Sequence, residues 1–153
     1  MAVIDKHQAC VTHTVVVAAA PQAVFAVLAN PHEHAGLDGS GLMRGVLEGP
    51  PVLMLGSVFR MRMKGYTTVN TVVEFEPGVL IAWRHRGRHV WRWRLRPVAG
   101  GTEVTETFDY RAKRARSLVE LIGIPRRAAA ILDKSLSALH ARYPQPIPDG
   151  RQR

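Results

Sequence analysis

The sequence predicts an α+β domain in which an antiparallel sheet is covered on one side by a long C-terminal helix. Three features predict this arrangement. A β-branched strand leads directly into a short helix, period-two hydrophobicity broken by turn signals begins at Leu42, and an apolar stripe with helical spacing closes the chain. A meander of strands followed by one amphipathic helix is typical of the α+β class.

The first elements are a strand and a short helix. Residues 11–17, VTHTVVV, are β-branched, which favours a strand. APQAVFAVLANP follows, with Pro21 at a first-turn position and Asn30-Pro31 as a stop signal. HEHAGLDGSG then predicts a second short helical turn that passes into a glycine-rich loop.

The middle of the chain predicts a meander of about six strands. The turn signals GPP, KGY, EPGV, RGR and AGG separate segments in which apolar and polar residues alternate. HVWRWRLRPV is the clearest of these segments, because its arginines alternate strictly with tryptophan and leucine. One face of this sheet is therefore apolar and aromatic, and the other is cationic.

The last element is a helix predicted over residues 117–143. Gly123 and Pro125 predict a kink between Leu121 and Arg127, because a proline removes one backbone hydrogen bond and pushes on the preceding turn. Residues 144–153 are polar and rich in proline, which predicts a disordered basic tail. We therefore expect one domain over residues 9–143.

Composition restricts the class of protein. A chain of 153 residues with 46% hydrophobic content is typical of one globular domain. No segment approaches the ~18 apolar residues of a membrane span, and the start lacks the pattern of a signal peptide, so we expect a cytoplasmic protein. The single cysteine, Cys10, excludes an internal disulfide and a thiolate zinc cluster. The net charge of +9 is spread along strands without a recognition helix, which argues against nucleic acid as the partner.

Turn chemistry predicts which side chains share a face. Two-residue turns at residues 77–78, 87–88 and 100–101, with a three-residue turn at 64–66, agree in parity. They place Phe59, Met61, Met63, Val69, Val73, Phe75, Leu80, Ala82, Arg84, Trp91, Trp93, Leu95, Val104, Glu106, Phe108 and Tyr110 on the face that the helix covers. They place Arg60, Arg62, Glu74, Trp83, His85, Arg92, Arg94, Arg96, Thr105, Thr107 and Asp109 on the solvent face, with Arg92 in reach of Asp109.

Taken together, the first strand, APQAVFAVLANP, the DGSG loop, TTVNTVVEFEPGVLIAWRHRG, WRWRLRPVAGGTEVTETFDY and the closing helix resemble the START-like (SRPBCC) superfamily. The resemblance is to its bacterial polyketide cyclase/dehydrase-type proteins. It implies a helix-grip (Bet v 1-like or START-like) fold, in which a curved seven-stranded antiparallel sheet of order 1-7-6-5-4-3-2 grips the C-terminal helix around a hydrophobic ligand cavity. Members include lipid and sterol carriers, plant hormone receptors and aromatase/cyclases.

Two charged side chains are predicted inside that cavity. Glu106 falls beside Leu95 on the apolar face, where a carboxylate is costly unless it is paired, hydrated or protonated. It is either a polar anchor and general acid or base, or a carboxylate that reaches solvent at the end of the sheet. Arg84 falls opposite Thr71 and Trp91, where it either binds a ligand anion or exits at the rim.

Other candidate residues follow from the same reasoning. His34 is a third catalytic candidate, although His32, His34 and Asp38 are better explained as residues that order their loop, and no third ligand supports a metal site. The predicted ligand contacts come from the apolar face and the last helix: Phe59, Met61, Met63, Val73, Phe75, Arg84, Trp91, Trp93, Glu106, Phe108, Tyr110, Leu121 and Leu132.

The predicted function is the binding of a small hydrophobic ligand, aromatic, lipid or polyketide-like, by a monomer or homodimer without a cofactor. The alternative is a cyclase or dehydratase that uses Glu106 or His34 as a proton shuttle and Arg84 to steady an enolate. The sequence contains no recognisable arrangement of Ser, His and Asp for nucleophilic catalysis.

Overall fold

The structure is a computed structural model that describes residues 1–144. Within them it contains eight strands, a single turn of 3₁₀ helix and four α-helices. The elements are β1 (Val3–Asp5), β2 (Cys10–Val17), α1 (Pro21–Leu28), the 3₁₀ turn (Pro31–Glu33), α2 (His34–Leu37), β3 (Met43–Glu48), β4 (Val58–Met63), β5 (Tyr66–Glu76), β6 (Leu80–His85), β7 (Val90–Val98), β8 (Gly101–Asp109), α3 (Arg116–Leu121) and α4 (Ile124–Arg142). Of the predicted tail, only Pro144 lies within the described residues, so the tail stays a prediction.

The strands form one antiparallel sheet in the order β1-β2-β8-β7-β6-β5-β4-β3. From β2 onward this is the order that the family resemblance implies, so the predicted α+β fold and its topology are confirmed. The predicted count of seven strands is one too low. Val3–Asp5 pairs with β2 through residues 10–12 and adds a short edge strand.

The C-terminal helix is broken where the sequence predicted a bend. α3 ends at Leu121, and Gly123, with φ 79°, separates it from α4. Glycine adopts this left-handed conformation without the steric cost that a Cβ brings. The break leaves Leu121, predicted as a ligand contact, 82% exposed, whereas Leu132 and Leu136 of α4 are buried against the sheet.

The predicted register is wrong on β5 and β6, because three turns differ in length from the prediction. Lys64-Gly65 is a two-residue turn, since Met63 pairs with Tyr66. Residues 77–79 and 86–88 are three-residue connections, since Glu76 pairs with Leu80 and the His85 N–H donates to the His89 carbonyl. A shift of one residue moves every side chain of a strand to the other face.

Three residues predicted on the covered face, Leu80, Ala82 and Arg84, therefore point outward, and Trp83 and His85 point inward. On β5, Val72 and Asn70 are buried instead of Val73 and Val69. A bulge at Val73 then restores Phe75 to the inner side, where its ring lies 5.5 Å from that of Phe25.

The β7–β8 hairpin keeps the predicted faces with a shifted register. Its turn is Ala99-Gly100, since Val98 pairs with Gly101, and Glu106 therefore lies opposite Trp93 instead of Leu95. A shift by two residues preserves which face each side chain occupies. On the outer face, Arg92 lies 3.2 Å from Asp109, as predicted, and also binds Glu74 at 2.6 Å.

Two clusters of buried apolar side chains anchor the helices to the inner face. One joins α1 and the second half of α4 to the middle of the sheet through Phe25, Leu28, Trp93, Leu136 and Leu139. The other joins the first half of α4 and α3 to β2 and β8 through Val11, Phe108, Tyr110 and Leu132. None of the helices in residues 1–144 combines the length and the apolar character that crossing a membrane requires.

Candidate functional site

A cavity of about 280 Å³ lies between the inner face of the sheet, α4 and the loop that follows α2. Its wall is mainly apolar and aromatic, with Leu28, Leu37, Phe59, Met61, Met63, Trp83, Trp91, Trp93 and Ile131 among the lining residues. The three tryptophans of the sequence all lie in this wall. Tyr66, 50% exposed, and Leu42 are the most exposed lining residues and mark its mouth.

One polar part of the wall, the glutamate end, consists of Trp93, Glu106 and Ser135. Glu106 is only 3% exposed, and its carboxyl group contacts the Ser135 hydroxyl on α4. Among residues 1–144 no lysine, arginine or histidine lies within ion-pair distance of Glu106. Burial therefore raises the pKa of Glu106 to about 8, and the negative charge of Asp38 adds to the rise while the Ser135 hydrogen bond opposes it.

The hydrogen-bond inventory of this end also favours the neutral acid. The Ser135 hydroxyl lies 3.2 Å from the Leu132 carbonyl oxygen as well as against Glu106. A hydroxyl has one hydrogen to donate, and a carbonyl can only accept. Neutral Glu106 can donate to Ser135 while Ser135 donates to Leu132, so all three groups are satisfied.

Trp93 adds an unused donor at the glutamate end. It is the cross-strand partner of Glu106 and 4% exposed. Its indole Nε1 is buried and has no hydrogen-bond partner. Buried polar atoms without partners are uncommon in folded proteins, so this N–H calls for a water or a ligand atom in the cavity.

A second polar part of the wall, the histidine end, consists of Asn70, His85 and His89. The two imidazole rings stack with centroids 4.7 Å apart, and Asn70 pairs with His85 across β5 and β6. The Asn70 amide nitrogen lies 3.3 Å from the Thr68 hydroxyl, and its Oδ1 is buried without a partner.

A cation stands beside the histidine end. Lys113 Nζ and His89 Nδ1 lie 3.1 and 3.2 Å from the position that a Cβ on Gly87 would occupy. Within residues 1–144 no carboxylate pairs with Lys113. Burial, the neighbouring His85 and the Lys113 charge lower the pKa of His89 to about 3. Burial and Lys113 also lower the pKa of His85, so neutral rings are favoured here.

His34 belongs to the aromatic wall between the two ends. Its ring stacks on Trp83 with centroids 4.8 Å apart, and its Nε2 lies 2.8 Å from the Leu28 carbonyl oxygen. Because a carbonyl only accepts, Nε2 carries the hydrogen. Burial lowers the pKa of His34 to about 4, although the hydrogen bond to Leu28 acts to raise it. His34 therefore presents a neutral ring, fixed at the end of α1.

The loop after α2 closes one side of the cavity and is ordered by Asp38. Its carboxylate accepts hydrogen bonds from the backbone N–H groups of Ser40, Leu42 and Met43 at 2.8–3.0 Å. Gly39 lies directly against α4, where an added Cβ would be 2.0 Å from the Ile131 carbonyl oxygen. The predicted role of Asp38 in ordering this loop is thus confirmed.

The structure brings together part of the predicted site. Phe59, Met61, Met63, Trp91, Trp93, Glu106 and His34 line the cavity. Arg84 is exposed on the outer face, so its predicted position inside is wrong. The remaining predicted contacts, Val73, Phe75, Phe108, Tyr110, Leu121 and Leu132, lie outside the lining.

The lining residues that sequence reasoning missed include Thr68, Asn70, Trp83, His85, His89 and Ser135. Those on β5 and β6 were assigned to the wrong face by the turn lengths. The sequence TTVNTVVEF also allows the opposite alternation, in which Asn70 faces inward, and this was the signal from which these residues could have been found. Within residues 1–144 no group of three or more His, Cys, Asp or Glu side chains is placed to hold a metal ion.

Comparisons with known proteins agree with this architecture. Residues 8–143 match the family described as polyketide cyclase / dehydrase and lipid transport. The uncharacterised protein Rv0088 of Mycobacterium tuberculosis is 35% identical over 150 residues, a match that covers 92% of this chain and 67% of that protein.

Two solved structures share the fold at low sequence identity. A protein of Rhodobacter sphaeroides superposes with a TM-score of 0.67 at 17% identity, covering 88% of this chain and 91% of that one. The Aha1 dimer of Colwellia psychrerythraea gives a TM-score of 0.62 at 16% identity, covering 92% and 98%.

Proposed function

The chain belongs to the polyketide cyclase / dehydrase and lipid transport family, and from this membership we propose that it binds a small, mainly apolar ligand in the cavity between the sheet and α4. The observation that carries the proposal is the composition of the wall, which contains all three tryptophans together with buried polar atoms that have no hydrogen-bond partner. Ligand pockets combine an apolar lining with a few placed polar groups in this way.

The size of the cavity restricts the ligand. A volume of about 280 Å³ lies at the small end of ligand pockets, which span roughly 300–1,000 Å³. We therefore favour a compound of two or three rings, or a short acyl chain, over a sterol or a long-chain lipid. Indole rings on β6 and β7 and the imidazole ring of His34 on α2 line the space, which favours a flat aromatic body.

Tryptophan fluorescence tests the proposal without a label, because each tryptophan borders the cavity. Titration with 2-naphthol should quench or shift the emission saturably. Thr68→Phe, which fills the cavity from β5, should abolish the response. Thr67→Phe makes the same substitution on the adjacent residue, which is exposed on the other face, and should leave the response intact. Native mass spectrometry of freshly purified protein should detect a retained small molecule.

A second candidate function is catalysis of a cyclase or dehydratase type. It is supported by Glu106, whose raised pKa of about 8 suits a general acid or base in a closed site. The outward position of Arg84 removes the cation that the predicted mechanism needed for an enolate. Turnover that is lost in Glu106→Gln while ligand binding persists would favour the enzyme, and a bound ligand without turnover favours the carrier.

A further inference from the structure

The two polar ends of the cavity differ in the charge that they accept. They are separated along the sheet by four residues, because Trp93 pairs with Ile81 and Asn70 pairs with His85. Four residues of strand correspond to about 13 Å. Between them lies an apolar middle formed by Trp83 and Trp91, which are themselves cross-strand partners.

The glutamate end accepts only an uncharged group. The ionisable neighbours of Glu106 are the acid Asp38 and His13, its cross-strand partner on β2. The His13 ring contacts Asp133 on α4 at 2.7 Å, and no cation pairs with Glu106 among residues 1–144. A ligand anion placed here would be buried beside an acid without a counter-charge, at high cost. The free Trp93 N–H calls for an acceptor oxygen, and the Glu106 carboxyl group can both donate to and accept from a hydroxyl.

The histidine end, in contrast, accepts an anion. Lys113 supplies an unpaired positive charge beside His89, and neutral imidazoles each retain one N–H to donate. The Thr68 hydroxyl can donate as well as accept, so the Asn70 amide can present either its oxygen or its NH₂ group to the cavity.

Building on the proposed function, we propose that the ligand is a flat aromatic hydroxy acid, bound with its neutral hydroxyl between Trp93 and Glu106 and its carboxylate toward His85, His89 and Lys113. A two-ring aromatic with one oxygen group at each end spans the apolar middle and stacks along Trp83 and Trp91. The arrangement orients the ligand in one direction, because exchanging the two groups would bury the carboxylate against Glu106.

The test is isothermal titration calorimetry at pH 6.5 with four naphthalenes that differ only in their end groups. 6-Hydroxy-2-naphthoate should bind about fivefold more tightly than 2-naphthoate, which lacks the hydroxyl. It should bind at least about 100-fold more tightly than naphthalene-2,6-dicarboxylate, which must bury an anion at the glutamate end. The affinity for naphthalene-2,6-diol should lie between the affinities for 6-hydroxy-2-naphthoate and naphthalene-2,6-dicarboxylate.

Two variants assign each contact. Trp93→Phe keeps the ring and removes the N–H, so it should weaken 6-hydroxy-2-naphthoate about fivefold and 2-naphthoate hardly at all. Lys113→Gln should weaken the binding of 6-hydroxy-2-naphthoate and of 2-naphthoate about fivefold each, and should leave the binding of naphthalene-2,6-diol unchanged. Lys134→Gln, the same charge change on the exposed side of α4, serves as the control. Thermal melts check that each variant is folded. If a variant does not fold, the affinities of the unsubstituted protein for the four naphthalenes still test the inference.

The outcomes separate this inference from the proposed function. Equal affinity for the monoacid, the hydroxy acid and the diacid would overturn the inference and leave an apolar binding protein. Absence of binding by all four compounds and by 2-naphthol would overturn both.

Discussion

Glu106 and Ser135 join the centre of the sheet to the covering helix through a hydrogen bond at the edge of the cavity. Glu106 lies on β8 and Ser135 on α4, and both are nearly inaccessible to solvent. Glu106 is therefore a buried acid without a cationic partner, and its ionisation should affect both the stability of the fold and the binding of a ligand.

Glu106 should make the protein less stable as the pH rises. Its folded-state pKa, about 8, lies above its ordinary value of 4.5. The folded state therefore holds the proton more tightly, and stability that is fully present below pH 4.5 is lost as the pH rises toward 8. Relative to Glu106→Gln, we expect a loss on the order of 5 kcal/mol across that window. Urea unfolding at a series of pH values measures it, and parallel curves for the two proteins would contradict it.

His34 should act in the opposite direction on the acid side. Its folded-state pKa of about 4 lies below its ordinary value of 6.5. The unfolded state then binds the proton more tightly, so stability present above pH 6.5 is lost as the pH falls toward 4. His34→Gln keeps an N–H donor for the Leu28 carbonyl and removes the titration. The variant should lose about 1.4 kcal/mol less per pH unit in this window. An unchanged slope would show that the ring is hydrated.

The loop after α2 should depend on the absence of a side chain at Gly39. Gly39→Ala places a Cβ 2.0 Å from the Ile131 carbonyl oxygen, so the loop must move away from α4. We expect a loss of about 2–3 kcal/mol and weaker ligand binding. Gly36→Ala on α2 is the matched control, since no atom lies within 4 Å of its added Cβ. It should be neutral or stabilise by about 0.5–1 kcal/mol. Equal thermal shifts for the two variants would contradict the close contact.

The affinity for a ligand that carries a carboxylate should fall as Glu106 ionises. Between pH 6.5 and 9, binding of 6-hydroxy-2-naphthoate should weaken as Glu106 loses its proton, because a second negative charge enters the cavity. Glu106→Gln should remove this part of the pH dependence. Calorimetry on both proteins with 2-naphthoate as the reference ligand separates Glu106 from the ligand's own phenol, and a 2-naphthoate affinity that is constant over this range would contradict the effect.

The fold could be predicted from sequence because its determinants are local. The alternation in HVWRWRLRPV, the stop at Asn30-Pro31 and the break at Gly123 each act within a few residues. Glu106 was placed correctly inside because the β7–β8 turn lies only one residue earlier than predicted. This displacement shifts the cross-strand pairing by two residues and so preserves the face of each side chain.

The site could be predicted only in part, because the inward face of a strand depends on the length of its turns. Residues 77–79 and 86–88 each form a connection one residue longer than their glycine signal suggested. As a consequence, the sequence predicted Arg84 inside the cavity and Trp83 and His85 outside it, so the histidine end was not predicted. Ser135 was missed because its polar side chain interrupts an otherwise apolar helical stripe, and only the three-dimensional structure brings it to Glu106.

The most direct test of the cavity as a ligand site is a ¹H–¹⁵N NMR titration that follows the three indole Nε1–H signals as 6-hydroxy-2-naphthoate is added. Because Trp83, Trp91 and Trp93 all line the cavity, all three signals should move saturably with one common dissociation constant, and that of Trp93 should move farthest. Indole signals that stay in place while backbone signals of the outer face move would contradict the cavity as the binding site.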